Sequence, residues 1–329
     1  MMYVKGGMQM VRCFRRQLKR RIWCNRSLIC LLLFGVTLGY LEYGWEAQSI
    51  PGDVIQVYDV DTNTLMPLEL EAYLVGVVAA EMPASFELDA LKAQAVAART
   101  FALKRMNMPN SNVTALHPNA QITTSPVTCQ AWISDDVQRE RWGKDYTKWH
   151  KKIMQAVTET AGEVLCFDGV LIDPVYHASC GGGATESAEY VWGNAKPYLI
   201  SVSCDHPVDQ HSDVTITISQ AELIGKLKLQ SDEVHVIAAE RTPSNRLKTM
   251  KLGNDVIQGS ELRAMLGLKS TLIDWRLVGD QIIVTTNGYG HGVGMCQNGA
   301  NYYAQLGYTY RQILQHYYRG AILHKNTDR

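Results

Sequence analysis

The sequence predicts an α+β fold in which mixed helices and antiparallel strands form a cleft, after an N-terminal transmembrane helix. Apolar residues recur every three or four positions from Leu70 to Val78 and from Leu88 to Ala102, as in helices that pack on a core. Short strand-like runs lie between the helical stretches, and Asp168-Gly169 is a turn that joins two of them into a hairpin. The basic N-terminus leads into an uncharged run at 27–41.

The N-terminus differs in charge from the rest of the chain. Residues 1–41 contain eight of the 32 basic side chains and none of the 32 acidic ones, so the remaining body is net acidic. Tyr40, Tyr43 and Trp45 follow the apolar run as interfacial anchors. The small-x-small motif of a cleaved signal peptide is absent after Gly39, which favours an uncleaved anchor over a signal peptide. A buried soluble helix is the weakest option, because seven cations at 12–26 precede the run. We therefore predict a cytoplasmic segment at 1–27, an anchor at 28–45 and an extracytoplasmic body.

Composition limits the function of that body. An acidic surface disfavours nucleic acid, whose phosphates require clustered cations. Five of the eight cysteines follow the predicted anchor, so at least one thiol is unpaired within a monomer. Since the chain has no CxxC pair, neither a zinc ribbon nor a thioredoxin-like site is indicated.

The first helix of the body ends in a candidate general acid. After a predicted strand at Val54–Tyr58, Glu81 lies eleven residues beyond Leu70 and therefore on the apolar stripe, and Pro83 stops the helix. Desolvation there favours the neutral carboxyl, the form that a general acid needs. The alternative is that Glu81 bends out to solvent at a frayed helix end, and spacing alone does not decide between the two.

The second helix is rich in alanine and carries two cations on one face, Lys92 and Arg99, which the pattern alone assigns to a solvated surface. The polar segment Met108–Trp149 is predicted to be a long surface excursion because it has many loop formers. A helix over Thr147–Ala161 and the hairpin Val164–Ile172 follow it.

A second motif, YHASCGGGATES, spans 176–187 and is followed by YVWG at 190–193. His177 and Cys180 are one possible nucleophile pair, but they lack an evident orienting partner and a hydrolase context. Cys204, His206 and His211 fit no standard zinc spacing, so we predict exposed loop histidines and no metal.

Residues 205–275 are predicted to be an inserted smaller lobe without a chemical motif. Its predicted elements are a strand at Val214–Ile218, a helix begun by Ser219, strands near Val234–Ala238 and Leu247–Leu252, and a helix begun by Ser260.

The third motif, NGYGHGVGMCQNGA at 287–300, follows a strand at Gln281–Thr286. It lacks the GK[ST] ending of a phosphate-binding loop, so that interpretation is weak. Helices over Asn301–Leu306 and Thr309–Tyr318 close the body.

The first motif is AAEMPASFELDALKAQAVAARTFAL at 79–103. Together the three motifs resemble the stage II sporulation protein D family, membrane-anchored peptidoglycan lytic transglycosylases related to amidase enhancers. The resemblance covers 53–323. It implies that Glu81 is the catalytic acid and base, and that the cleft is completed by Lys92, Arg99, His177, Ser179, Cys180, Tyr190, His291 and Gln297.

The chain departs from the family at two places. Cys296 replaces the commoner serine of the third motif, so a serine nucleophile is excluded there. Some clostridial relatives bind zinc through a cysteine and a histidine just before a Cys-Gln pair. Here Thr128 precedes Cys129-Gln130 and 122–124 contain no cysteine, so no zinc at that site and no cofactor is predicted.

The motifs supply one clear catalytic carboxylate, whereas glycosidases that use water generally need two. The resemblance implies cleavage of peptide-stripped peptidoglycan glycan strands during engulfment, from the mother-cell membrane. It also implies two partners, a membrane-bound amidase/endopeptidase (stage II sporulation protein P) and a small membrane protein. The alternatives are a glycan-binding activator of an amidase, with Glu81 structural, and a cysteine amidase that uses Cys180.

Overall fold

The computed structural model describes residues 54–325, with gaps at 109, 208, 231–233 and 235. The predicted cytoplasmic segment and anchor lie outside the described residues. Among the residues that are described, no helix combines the length and the apolar character needed to cross a bilayer.

The body alternates helices and short strands. In chain order they are β1 (Val54–Asp59), β2 (Thr64–Glu69), α1 (Leu70–Glu81), α2 (Leu88–Asn107), α3 (Ser111–Leu116), β3 (Ile122–Thr123), α4 (Asp135–Trp142), α5 (Tyr146–Glu159), β4 (Glu163–Phe167), β5 (Val170–Leu171), β6 (Tyr176–His177), α6 (Ala188–Trp192), β7 (Val214–Ser219), α7 (Gln220–Leu227), β8 (Val236–Arg241), β9 (Leu247–Leu252), β10 (Asp255–Gln258), α8 (Gly259–Leu266), β11 (Leu272–Val278), β12 (Gln281–Asn287), β13 (Met295–Cys296), α9 (Gln297–Gln305), α10 (Tyr310–Tyr317) and β14 (Ile322–Lys325).

Helix α2 is the centre of the larger core. Its alanines are buried on almost every side, which lets α1, α5, α9, α10 and β4 approach it closely. The apolar stripe predicted on α1 is buried as expected, since Leu70, Tyr73 and Val77 have no exposed surface. Both α1, which ends at Glu81, and α2, which follows it, are therefore held in place by this core.

The strands form small, separate sheets that are mostly antiparallel, which confirms the α+β fold. One two-stranded parallel sheet pairs β6 with β13, so that Tyr176 lies beside Met295 and His177 beside Cys296. This short pairing joins the second and third sequence motifs.

The segment from β7 to β12 contains a second apolar cluster, in which two three-stranded sheets pack with α7 and α8. Leu223, Leu262 and Ile282 are fully buried within it. Helix α7 begins as predicted, because the Ser219 side chain accepts a hydrogen bond from Glu222 N.

The prediction that Met108–Trp149 is a long loop is wrong. The segment contains α3, β3 and α4, and α5 begins within it at Tyr146. The Ser134 side chain caps α4 by accepting a hydrogen bond from Val137 N, and two aspartates occupy the first turn. The cap and the two negative charges in the first turn stabilise a helix in a stretch whose composition suggested a loop.

Candidate active site

Glu81 is the last residue of α1, and its side chain is held rather than frayed. The helix stops because Met82 is extended and Pro83 follows. Ala131 N, which lies 50 residues later in the chain, donates a 2.7 Å hydrogen bond to Glu81 Oε1. The residue as a whole is partly exposed, so its carboxyl is anchored yet within reach of a ligand.

The surroundings of this carboxyl favour its neutral form. Burial raises the pKa of Glu81, while the Ala131 N–H and the Tyr176 hydroxyl hydrogen-bond to it and lower the pKa by less. Because Oε1 accepts the amide hydrogen, a proton on the carboxyl belongs on Oε2. Among the described residues, no second carboxylate contacts Glu81.

The wall opposite Glu81 comes from the segment mistaken for a loop and from β6. The Tyr176 hydroxyl lies 3.3 Å from Gln130 Oε1, and Gln130 Nε2 donates to Ala98 O of α2. Sequence reasoning missed Tyr176 and Ala131 as neighbours of Glu81. The only sequence signal for this wall was the Cys129-Gln130 pair, which immediately precedes Ala131.

Two histidines from the second and third motifs lie side by side, with ring centroids 5.7 Å apart. His177 Nδ1 donates to Val293 O, and Val293 N donates to His291 Nδ1. Burial lowers the pKa of His177 to about 3 and that of His291 to about 4. Both rings are therefore neutral at physiological pH, and His177 Nε2 is buried without a partner among the described groups.

One exposed aromatic ring lies beside this pair, and a second lies on the same short helix. Trp192 is 49% exposed and its ring centroid lies 5.1 Å from that of His291, while Tyr190 is 42% exposed on the same short helix α6. Such rings offer apolar faces on which a sugar can stack. Tyr190 was singled out from the sequence, whereas Trp192 was overlooked although it lies within the same motif.

The structure does not bring Lys92 or Arg99 to Glu81. The buried Arg99 guanidinium holds both oxygens of Glu71, at 2.9 and 2.7 Å, ten residues or about 15 Å along α1 from Glu81. Lys92 forms a 2.6 Å ion pair with Glu159.

Three other predicted residues are turned into the protein. Gln297 is buried and donates to Gln94 Oε1, and Ser179 Oγ donates a 2.6 Å hydrogen bond to Asp209 Oδ2. Cys180 is fully buried with its thiol 3.5 Å from Cys204 O, and no hydrogen bond joins it to His177 in the part of the chain that the structure describes. That placement gives no support to a Cys–His nucleophile pair.

Comparison with known proteins identifies the family. The family model described as "Stage II sporulation protein" matches residues 58–167. Stage II sporulation protein D of Bacillus subtilis (strain 168) is 38% identical over 272 residues, 81% of this chain and 78% of that protein. The chain belongs to the stage II sporulation protein D family. Its namesake from Bacillus amyloliquefaciens is 38% identical over 274 residues, 81% of this chain and 77% of that protein.

The chain is also similar to a protein with a different name. The amidase enhancer of Bacillus subtilis (strain 168) is 28% identical over 309 residues, which is 76% of this chain and 40% of that longer protein. The relatives of this chain thus include a protein named amidase enhancer.

This member of the sporulation protein D family also buries a cluster of metal-binding side chains. The prediction that His206 is an exposed loop histidine is wrong, because only 6% of its surface is accessible. One ligand atom from each of Cys180, Cys204, His206 and Cys296 lies within 4.8 Å of the others. His211 is half-buried and is not part of this cluster.

A cavity of about 420 Å³ lies elsewhere, on the other side of α1. It is lined by Ala72 and Gly76 of that helix and by Trp132, and Glu81 is not among its lining residues. Since Glu81 projects from the opposite side of α1, this cavity is separate from the candidate active site.

Proposed function

We propose that the protein is a lytic transglycosylase that cleaves the bond between N-acetylmuramic acid and N-acetylglucosamine in peptidoglycan, with Glu81 as its single acid and base. The observation that carries the proposal is the state of the Glu81 carboxyl. It is anchored by a backbone N–H, its pKa is raised by burial, and no second carboxylate among the described residues contacts it. A water-using glycosidase generally needs two carboxyls, whereas a lytic transglycosylase needs one.

Glu81 acts twice in this reaction. The neutral carboxyl first donates its proton to the glycosidic oxygen as the bond to the muramoyl anomeric carbon breaks, which frees a hydroxyl on the departing N-acetylglucosamine. The resulting carboxylate then removes the proton of the C6 hydroxyl of the same muramoyl residue, and that oxygen bonds to the anomeric carbon. The product is a 1,6-anhydromuramoyl end, Glu81 is again protonated, and no water is consumed.

The neighbouring groups are suited to hold an uncharged glycan. His291 is neutral and partly exposed, so its ring offers a hydrogen-bonding nitrogen without charge, and the exposed Trp192 ring next to it offers a stacking face. Tyr190 adds a second exposed ring on α6. These residues bind and orient the sugar, and proton transfer is left to Glu81.

Membership of a family named for sporulation supports a role in that process. We propose a single-pass membrane protein with the described body outside the cytoplasm, acting on glycan strands after a membrane-bound amidase/endopeptidase has removed their peptides. A stage II sporulation protein P and a small membrane protein are the proposed partners.

The second candidate function is that of a non-catalytic activator of an amidase. The relative named amidase enhancer favours it, since 76% of this chain aligns with that protein. In this case the glycan binds the same aromatic surface while Glu81 is structural.

Incubating purified full-length protein with peptide-free glycan strands distinguishes the two candidate functions. A transglycosylase alone shortens the strands and creates anhydro ends. An activator binds the strands without shortening them and raises the rate of an added amidase. Strand binding with no cleavage over a range of protein concentrations contradicts the first proposal.

We expect the Tyr176→Phe variant to remain active but to shift its pH profile. The Tyr176 hydroxyl lowers the pKa of Glu81, so its removal raises that pKa further. Because the first step needs the protonated acid, the loss of activity on the alkaline side moves to higher pH. Tyr198→Phe, which removes a hydroxyl bonded to Asp173, is the matched control and leaves the profile in place. An unchanged profile, or a shift to lower pH, in Tyr176→Phe contradicts the assignment.

A further inference from the structure

Four metal-binding side chains converge from three separate parts of the chain. Cys180 follows β6, Cys204 and His206 lie in the loop before β7, and Cys296 precedes α9. All four residues are buried, and their ligand atoms all lie within 4.8 Å of one another. Three thiols and an imidazole in one buried space have no role in the proposed reaction.

The arrangement matches the size and chemistry of a closed zinc site. Zn²⁺ prefers four nitrogen and sulfur ligands in a tetrahedron, with Zn–S near 2.3 Å and ligand atoms therefore about 3.8 Å apart. The observed separations require a contraction of at most about 1 Å to reach this geometry. Three cysteines and one histidine are a standard structural ligand set, and four protein ligands leave no open position for catalysis.

The histidine is already oriented for metal binding. His206 Nδ1 donates a 2.8 Å hydrogen bond to Pro207 O, which leaves the lone pair of Nε2 available. The nearby Ser179 hydroxyl donates to Asp209 Oδ2 at 2.6 Å and so does not compete for Nε2. A backbone carbonyl that fixes the tautomer is the usual outer contact of a metal-bound histidine.

The surroundings also suit thiolates. Cys296 Sγ accepts hydrogen bonds from the backbone N–H groups of Cys180 and Gly299, at 3.2 and 3.3 Å. The guanidinium of the buried Arg246 donates to Cys180 O, and its Nε and Nη1 have no partner among the described groups. Three thiolates, a neutral imidazole and Zn²⁺ sum to one negative charge, which this cation offsets.

We propose that Cys180, Cys204, His206 and Cys296 bind one structural Zn²⁺. Binding displaces three thiol protons to solvent and forms four coordinate bonds, with no change of oxidation state. The ion ties the second motif to the third and to the loop before β7, and so fixes the turns that carry His177 and His291. This site is distinct from the one near Cys129, where the sequence predicts no zinc.

The test measures metal content rather than activity. Full-length protein purified under reducing conditions is expected to contain about one Zn²⁺ per chain. Cys296→Ser removes a ligand and is expected to weaken Zn²⁺ binding by about tenfold or more. Cys166→Ala is the matched control, because Cys166 is a buried thiol in β4 outside the cluster, and it keeps the ion.

Cobalt replacement in the wild-type chain keeps the proposal testable if Cys296→Ser does not fold. One equivalent of Co²⁺ added to metal-free protein should give the intense visible bands of tetrahedral thiolate coordination, and Zn²⁺ should abolish them. Metal-free protein with no affinity for either ion overturns the proposal. A disulfide between two of the three cysteines in the active protein overturns it as well, as does an unchanged Zn²⁺ affinity in folded Cys296→Ser.

Discussion

Glu81→Gln is expected to lower the rate of glycan cleavage about a thousandfold, within the range that general acid–base catalysis contributes. The amide keeps an oxygen that can accept the Ala131 hydrogen bond, so the loop position is preserved. The amide cannot donate a proton to the glycosidic oxygen, nor can it then remove the proton of the C6 hydroxyl. Binding of the glycan strand should remain close to that of the wild type.

The same substitution should not destabilise the fold. Burial raises the pKa of Glu81, so folding is penalised once pH exceeds the pKa of the unfolded chain, and the penalty is complete above the folded-state pKa. Glutamine carries no such penalty. The Tm of Glu81→Gln relative to wild type should therefore rise as pH increases from about 4 to 8.

Activity and thermal unfolding measured on both proteins check this pair of expectations. Glu87→Gln is the matched control, since Glu87 lies six residues away and is exposed, and it should leave both quantities unchanged. A Glu81→Gln variant that cleaves strands at the wild-type rate excludes Glu81 as the acid. A loss of activity together with a large fall in Tm would assign Glu81 a structural role.

Arg99→Met is expected to destabilise the protein by about 3 kcal/mol, at the lower end for breaking a buried ion pair because Glu71 is partly exposed. The guanidinium binds both oxygens of Glu71 and also donates to Val157 O and Glu163 O. Methionine fills much of the space but satisfies none of these acceptors. Near 2–4 °C per kcal/mol, Tm should fall by about 6–12 °C.

Thermal unfolding with Arg139→Met as control tests this assignment. Arg139 pairs with Asp135 on the exposed surface of α4, and such pairs contribute about 0–1 kcal/mol. Arg99→Met should retain cleavage activity at temperatures where it is folded. An unchanged Tm with lost activity would instead place Arg99 in glycan binding, as the family resemblance implies.

Many turns and helix ends could be predicted from residues that are close together in the sequence. The Asp168-Gly169 turn has φ of 49° and 76°, the left-handed geometry of the predicted hairpin. Thr309 and Gln312 form a capping box at the start of α10. In each case the stabilising partner lies within three residues, so the sequence contains the whole interaction.

The partners of Lys92 and Arg99 could not be found in that way. A motif shows that two cations share a helix face, but Glu71 comes from another helix and Glu159 from a third. The pattern therefore does not say whether that face meets solvent, a ligand or other helices. The metal-binding cluster was missed for the same reason, because Cys180 and Cys296 are 116 residues apart.

The contacts of the inserted lobe could not be predicted from the sequence either. It carries no sequence motif, yet Arg246 reaches the second motif and its guanidinium carbon lies 2.8 Å from where a side chain on Gly292 would begin. Glu186 Oε2 accepts hydrogen bonds from the hydroxyls of Thr242 and Ser244. These buried contacts fasten the lobe to the second and third motifs.

The mass of the products formed in water enriched in ¹⁸O tests the central claim most directly. If Glu81 removes the proton of the C6 hydroxyl and that oxygen attacks the anomeric carbon, the new ends are 1,6-anhydromuramoyl groups and contain no ¹⁸O. Wild-type protein should give these products and Glu81→Gln should give almost none. New reducing ends that carry ¹⁸O would show that water is the nucleophile and would contradict the account.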